Sequence, residues 1–254
     1  MAVTHLWVDV LLMGVKMNRI RLFCLPYAGS SAMSYYQWSK YLDKQIDLHP
    51  VELAGRGSRI DVPLYDSVSD GAKDVCCSIK KYIEDDIPYA IFGHSMGSWI
   101  AFELYYEIIK SGLRKPEHIF FSGNRAPHLN NKRDKIIHNL PENEFKDEIL
   151  KLGGTPREIF EDNTLASIFI PLIRADYKIT ENYLYTAGKS KLECGVTILC
   201  GRDDEITRDG INEWREHVRN ECEIVYFSGG HFFVHHSVEG ITDIINQTLR
   251  KYLC

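Results

Sequence analysis

The chain predicts an α/β fold with a mostly parallel sheet, and three observations carry that expectation. Short stretches read as strands recur along the sequence, at 20–25, 46–53, 89–92, 117–122, 196–200 and 223–227, several of them apolar runs of β-formers. Stretches with helical spacing separate them, and most runs end in a turn rich in Gly, Ser or Pro. Strands alternating with helices build βαβ units, whose sheet is parallel and covered by helices on both faces.

Taken in order, the run at 20–25 ends in Pro26-Tyr27-Ala28-Gly29-Ser30-Ser31, and a helical stretch is expected from 32 to 42. The next run, 46–53, is broken by Ala54-Gly55-Arg56-Gly57-Ser58-Arg59. This loop is rich in Gly and Arg, yet it lacks the Gly-Lys-Ser/Thr of a P-loop and the G-x-G-x-x-G of a dinucleotide turn. An amphipathic helix is read over 68–83, then a buried strand over 89–92 behind Pro88. From Met96 the spacing becomes helical. Ile100, Leu104 and Ile108 share a face with Ala101 and Tyr105, and Gly112 stands where a helix C-terminal glycine belongs.

The run at 117–122 ends in Gly123-Asn124-Arg125-Ala126-Pro127-His128, after which the strand rhythm stops until about residue 188. Helices are expected over 141–152, 158–170 and 171–185, the last two meeting at Pro171. A helical block of this kind between two strands reads as an insertion, about 129–188, lying as a lid over the site. The final strands end in Gly201-Arg202-Asp203-Asp204-Glu205 and Ser228-Gly229-Gly230-His231, each followed by a helix, over 208–218 and 238–253.

Between the strand at 89–92 and the helix from Met96 lies Gly93-His94-Ser95-Met96-Gly97, a G-x-S-x-G pattern. A serine on so tight a strand-to-helix turn takes a strained backbone, and the glycines remove side chains that would collide there. The hydroxyl then stands above the sheet, with the helix N-terminus directing free N–H groups at an oxyanion. Asp204 and His231 follow later strand ends on the same rim, where open α/β sheets bind ligands. The chain order Ser95, Asp204, His231 is that of an α/β-hydrolase. Ser95 is expected to be the nucleophile, His231 its base and Asp204 the acid orienting His231. Asp204 stands three positions after Gly201, as in the G-x-x-D turn of many hydrolases; Asp203 is the alternative. His94 lies inside the turn and is read as structural, and the loop after the first strand is the expected source of a second oxyanion N–H.

Composition narrows the rest. The 254 residues, 44% apolar and 26% charged, suit one large α/β domain or two small ones with a substantial core. A net charge of −5 gives no global reason to expect nucleic acid. Seven cysteines, at 24, 76, 77, 194, 200, 222 and 254, show no zinc spacing and are expected to be reduced thiols of a cytoplasmic protein. Residues 6–15 are apolar apart from Asp9, too short to span a bilayer. Residues 1–16 are read as an N-terminal extension, with the hydrolase domain over 17–254.

Several stretches together resemble the external (type II) thioesterases of non-ribosomal peptide and polyketide assembly lines. They are Phe23-Cys-Leu-Pro-Tyr-Ala-Gly29, Leu53-Ala-Gly-Arg56, Gly93-His-Ser-Met-Gly97, Ser122-Gly-Asn-Arg-Ala-Pro-His128, Leu152-Gly-Gly-Thr-Pro156, Arg174-Ala-Asp-Tyr177 and Gly229-Gly-His-Phe-Phe233. Departures are Ala54 where the family commonly has proline, Ser30 where a second glycine is usual, and Asn124. The resemblance implies hydrolysis of acyl groups from the 4′-phosphopantetheine arm of acyl or peptidyl carrier proteins, with the N–H groups of Ala28 and Met96 as the oxyanion hole. It implies no metal or organic cofactor; no nucleic-acid or membrane partner is expected, and the enzyme is expected to be a monomer. Arg133 and Lys135, in the basic loop 125–135, are candidates for docking an acidic carrier. Competing readings are a general esterase or fatty acyl thioesterase with the same triad, and a non-catalytic binding protein of this fold.

Overall fold

The computed structural model describes residues 19–132, 136–208 and 210–253. The proposed extension 1–16 and the docking candidates Arg133 and Lys135 lie outside them. Six strands form one parallel sheet: β1 (Ile20–Leu25), β2 (Ile46–Pro50), β3 (Tyr89–His94), β4 (His118–Ser122), β5 (Gly195–Gly201) and β6 (Cys222–Phe227), in the order β2-β1-β3-β4-β5-β6.

Alternate residues of each strand feed opposite faces, and the inner strands β1, β3, β4 and β5 are buried almost throughout while the edge strands β2 and β6 are partly exposed. Phe23, Leu25, Ile91, Ile119 and Phe121 pack on one side with α1 (Val68–Ile83) and α2 (Met96–Lys110). Leu22, Cys24, Phe92 and Phe120 pack on the other with Tyr35, Trp38 and α8 (Val238–Leu249), through Ile241, Ile245 and Leu249. Each fully buried ring such as Phe92 or Phe120 contributes about 2–3 kcal/mol by leaving water.

Strand order positions the site. The chain steps from β1 outward to β2, then jumps back past β1 to β3. The segments leaving β1 and β3 therefore turn to opposite faces, opening a crevice between their first residues at the carboxyl rim.

Several element expectations are corrected. The stretch from Ala32 to Lys40 is a 3₁₀-helix, not an α-helix. Its buried residues Ala32, Tyr35 and Trp38 are spaced by three, so a helix with three residues per turn puts all of them on the core. β2 stops at Pro50, short of residue 53. No break occurs at Pro171. α4 (Glu158–Glu161) ends at Asp162, whose side chain accepts the N–H groups of Thr164 and Leu165 and so starts α5 (Asn163–Glu181). α5 runs through Pro171, which lies on its exposed face, where the missing N–H buries no orphan group. The expected helix over 208–218 is instead a short α6 (Glu205–Arg208) and a 3₁₀ turn, Asn212–His217. After β6 come α7 (Phe233–His236), α8 and a closing 3₁₀ turn, Arg250–Tyr252, within the stretch read as one helix to 253.

The segment between β4 and β5 has its own small core. α3 (Glu142–Leu152), α4 and α5 join Phe145, Ile149, Phe160, Ile170 and Ile173. Farther along α5, Ile179 enters the main core beside α2. Among the described residues no helix is long and apolar enough to cross a membrane.

Candidate active site

Ser95 occupies the single residue between β3 and α2. Its backbone sits at φ 53° and ψ −116°, a left-handed value that a serine holds only under constraint from its surroundings. Those surroundings are identifiable. Ser95 N–H donates to the Ser122 carbonyl (2.8 Å) and the Ser95 carbonyl accepts from Asn124 Nδ2 (3.0 Å). Ser98 Oγ bridges the Gly93 and Ser122 carbonyls at 2.7 and 2.8 Å. The glycines are required by close approach: a Cβ on Gly93 would lie 2.2 Å from the Gly97 carbonyl oxygen, and one on Gly97 2.3 Å from that of Leu25.

His231 stands in the turn after β6, and its Nε2 is 2.9 Å from Ser95 Oγ. Its Nδ1 is 3.0 Å from Asp204 Oδ2, while Asp204 Oδ1 accepts the N–H of Ile206 (2.9 Å). Asp204 is 2% exposed and His231 7%. Asp203 is exposed, and only its backbone takes part, donating to the Gly229 carbonyl (3.0 Å). That bond and Arg202 N–H to Phe227 O (2.9 Å) zip the acid turn to the histidine turn. Of the two candidate acids, Asp204 alone meets His231.

The two expected oxyanion donors lie on different segments, Ala28 in the turn after β1 and Met96 at the start of α2. Met96 is the first residue of α2, so its N–H has no acceptor within the helix. In the turn after β1, Gly29 N–H goes to Asp176 Oδ2 (2.8 Å) and Ser30 N–H to the Tyr27 carbonyl (3.0 Å). The Ala28 N–H just before them has no acceptor among the described residues.

His94 is fully buried, its Nδ1 paired with Ser122 Oγ (2.9 Å) and its ring 5.3 Å from that of His231. Burial, with the neighbouring His231 and His235, pushes its pKa well below the usual imidazole range. It therefore stays neutral and does not compete with a charge arriving on His231.

A match to the family model described as thioesterase domain runs over residues 20–249. The chain belongs to the thioesterase family. This thioesterase is 35% identical over 257 residues to linear gramicidin dehydrogenase LgrE of Brevibacillus parabrevis, with 98% of this chain and 96% of that protein covered. It is 34% identical over 237 residues to the gramicidin S biosynthesis protein GrsT of Aneurinibacillus migulanus, covering 92% and 91%. The crystal structure of ClbQ from the colibactin NRPS/PKS pathway is 37% identical, with a TM-score of 0.86, 92% of this chain and 98% of that one covered. The thioesterase's first βα turn carries no G-x-G-x-x-G.

Sequence reasoning named the thioesterase's Asn124 only as a departure from the family pattern. The structure shows it holding the Ser95 carbonyl, with its own carbonyl accepting from Trp214 Nε1 (3.0 Å). Ala54, another departure, donates its N–H to Tyr65 Oη (3.0 Å), a bond proline cannot make. Ser30 keeps a negative φ, so a side chain there is unstrained. A cleft of about 340 Å³ adjoins the site at Tyr27 and Ala28 and runs between Met33, Pro156, Phe169 and Ile173. Away from the site, His128 Nε2 faces the Glu213 and Glu216 carboxylates at 3.8 and 3.9 Å, a grouping with metal-ligand chemistry.

Proposed function

We propose that this thioesterase hydrolyses acyl groups from the 4′-phosphopantetheine arm of acyl or peptidyl carrier proteins of non-ribosomal peptide or polyketide synthesis, clearing mis-primed or stalled chains. One observation carries the mechanism: Ser95 Oγ at 2.9 Å from His231 Nε2, with Asp204 on Nδ1. The kinship to proteins of gramicidin and colibactin biosynthesis supports the substrate class.

Ser95 Oγ attacks the thioester carbonyl as His231 Nε2 takes its proton. Asp204 accepts from Nδ1–H and so leaves Nε2 unprotonated and facing the serine. The Ala28 and Met96 N–H groups stabilise the tetrahedral oxyanion. Collapse breaks the C–S bond, and the His231 proton leaves with the pantetheine thiol. Water then attacks the acyl-serine, again giving a proton to His231, and the acid departs as Ser95 recovers its hydrogen. The segment 129–188 acts as a lid, which its separate core and its contacts with the site support. The apolar walls of the adjoining cleft suit an acyl chain.

The test is a panel of acyl-carrier, acyl-CoA and nitrophenyl ester substrates with mass-spectrometric detection of the released acid. Preference for acyl-carrier substrate, lost in Ser95→Ala, is expected. A strong preference for the oxygen ester would instead assign a general esterase, and failure of fluorophosphonate to label Ser95 would favour a binding protein.

A further inference from the structure

Two motif stretches find no place in the reaction steps: the one ending at Arg56 after β2, and Arg174-Ala-Asp-Tyr177 in α5. The structure joins them. Arg56 Nη1 and Nη2 donate to Asp176 Oδ2 and Oδ1 at 2.8 Å each, a two-pronged pair across 120 residues, with both side chains 3% exposed. Two further donors are used, Nη1 to the Ser30 carbonyl (3.0 Å) and Nε to the Ala54 carbonyl (3.2 Å). Asp176 Oδ2 takes one further bond, from Gly29 N–H (2.8 Å).

A buried ion pair is weak evidence for stability, since apolar residues of equal volume often do as well. What this pair does is geometric. It holds the turn after β1 at two points, the N–H of Gly29 and the carbonyl of Ser30. A peptide unit is planar, so a Gly29 N–H aimed at Asp176 sends the Ala28 carbonyl the opposite way. That fixes the orientation of the turn in which the Ala28 N–H stands. The Ala28 N–H belongs to the preceding peptide unit, joined to this one at the Ala28 Cα, so pinning the second unit restricts how far the first can turn.

The acid comes from α5, the long helix of the segment between β4 and β5, and that segment touches the site twice more. A Cβ on Gly29 would lie 2.6 Å from Ile173 Cγ1, so α5 packs directly on the turn's bare backbone. One on Gly154, in the Leu152-Gly-Gly-Thr-Pro156 stretch, would lie 2.0 Å from the ring of Phe232, next to His231.

We propose that Arg56 and Asp176 are positioning residues that set the Ala28 N–H as an oxyanion donor, and so make the donor's geometry depend on the seating of α5. This rests on reading Ser95 as the nucleophile and Ala28 as a donor. Both side chains are buried, so the pair acts through the turn it holds.

The test uses the full chain with an acyl-pantetheine thioester, active sites counted by fluorophosphonate labelling. Its second probe is an alkyl trifluoromethyl ketone, which adds to a serine to form a tetrahedral oxyanion. Asp176→Asn is expected to lower kcat per active site by about 10²-fold, the usual cost of losing one oxyanion donor, with KM changed less than threefold. Ketone affinity should fall by a similar factor. Arg56→Lys keeps the buried charge but not the fork, and serves should Asp176→Asn not fold; a loss of about tenfold on both readouts is expected. Glu103→Gln, which disturbs the separate buried cluster of Glu103 with Tyr183 and Lys189, should lower Tm with kcat per active site unchanged. Wild-type kcat and ketone affinity in Asp176→Asn and Arg56→Lys overturn the proposal while the proposed function stands. So does loss of kcat with ketone affinity intact. A wild-type chain that leaves the thioester untouched, or a Ser95→Ala variant that still cleaves it, overturns the proposed function and this proposal with it.

Discussion

Substituting alanine for Gly97 tests whether chemistry depends on the close seat of α2 against β1. The added Cβ would lie 2.3 Å from the Leu25 carbonyl oxygen and 2.8 Å from that of Pro26. Both are backbone atoms in or beside a central strand, so neither can swing aside as a side chain would. Contacts below 3.0 Å are essentially never seen for a Cβ, so the helix must lift by about 0.7 Å to relieve the first of them. That lift carries Met96 N–H and Ser95 away from the Ala28 turn and from His231. Misplacement by about 1 Å costs on the order of 10²-fold in rate, and kcat per labelled active site should fall by roughly that factor. Overpacking should also cost about 1–3 kcal/mol of stability. Gly112→Ala separates the two effects. Its φ of +67° strains an alanine by about 1–2 kcal/mol, yet no atom lies within 4 Å of the new Cβ and the residue sits at the far end of α2. Measured by thermal melting and by turnover of an acyl-pantetheine thioester, Gly112→Ala should lose Tm and keep kcat. Wild-type kcat in Gly97→Ala, or an equal loss of kcat in both variants, would refute the reasoning.

Asp204→Asn should lower kcat by about 10⁴-fold, since an amide at Nδ1 favours the tautomer that cannot accept the serine proton. Asp203→Asn should stay near wild type, and steady-state kinetics on the pair distinguishes the two neighbours. His118 is buried, with Nε2 paired to Thr197 Oγ1 (2.9 Å), and burial with the nearby Lys251 pushes its pKa down to about 3. Because the folded state prefers the neutral ring, its contribution is complete above about pH 6.5 and lost as pH falls toward 3. His217, pushed down to about 4 mainly by burial and His128, acts in the same direction. In urea melts between pH 6 and 4, His118→Gln should show a shallower slope, by up to about 1.4 kcal/mol per pH unit; an unchanged slope would dismiss this role. Gly154→Ala forces a methyl into the Phe232 ring, and kcat/KM should fall about tenfold as the neighbouring His231 shifts.

The inner strands were legible because each is buried on both faces, which leaves a largely apolar run. Pro171 misled, because the rule against proline inside a helix weighs the lost hydrogen bond and not the face on which it is lost. The 3₁₀ stretch was legible only in hindsight of its burial: Ala32, Tyr35 and Trp38 recur every three residues, and that period is too short a sample to separate from 3.6. Asn124 stood out only as a departure from the family pattern and its role was not legible, since an asparagine after a strand is an ordinary loop residue until its amide is seen on the Ser95 carbonyl.

By itself the sequence determined what is local: strands from apolar runs, the serine turn from two glycines at fixed spacing, and a histidine and an acidic pair beyond later strand ends. Those patterns are written within a few residues, where sterics and burial act directly. Which acid meets His231, and that Arg56 closes on Asp176 across 120 residues, only the tertiary structure decided. Such pairings follow from strand order and from how α5 lies across the rim. Those are global balances of packing that no short stretch of chain encodes.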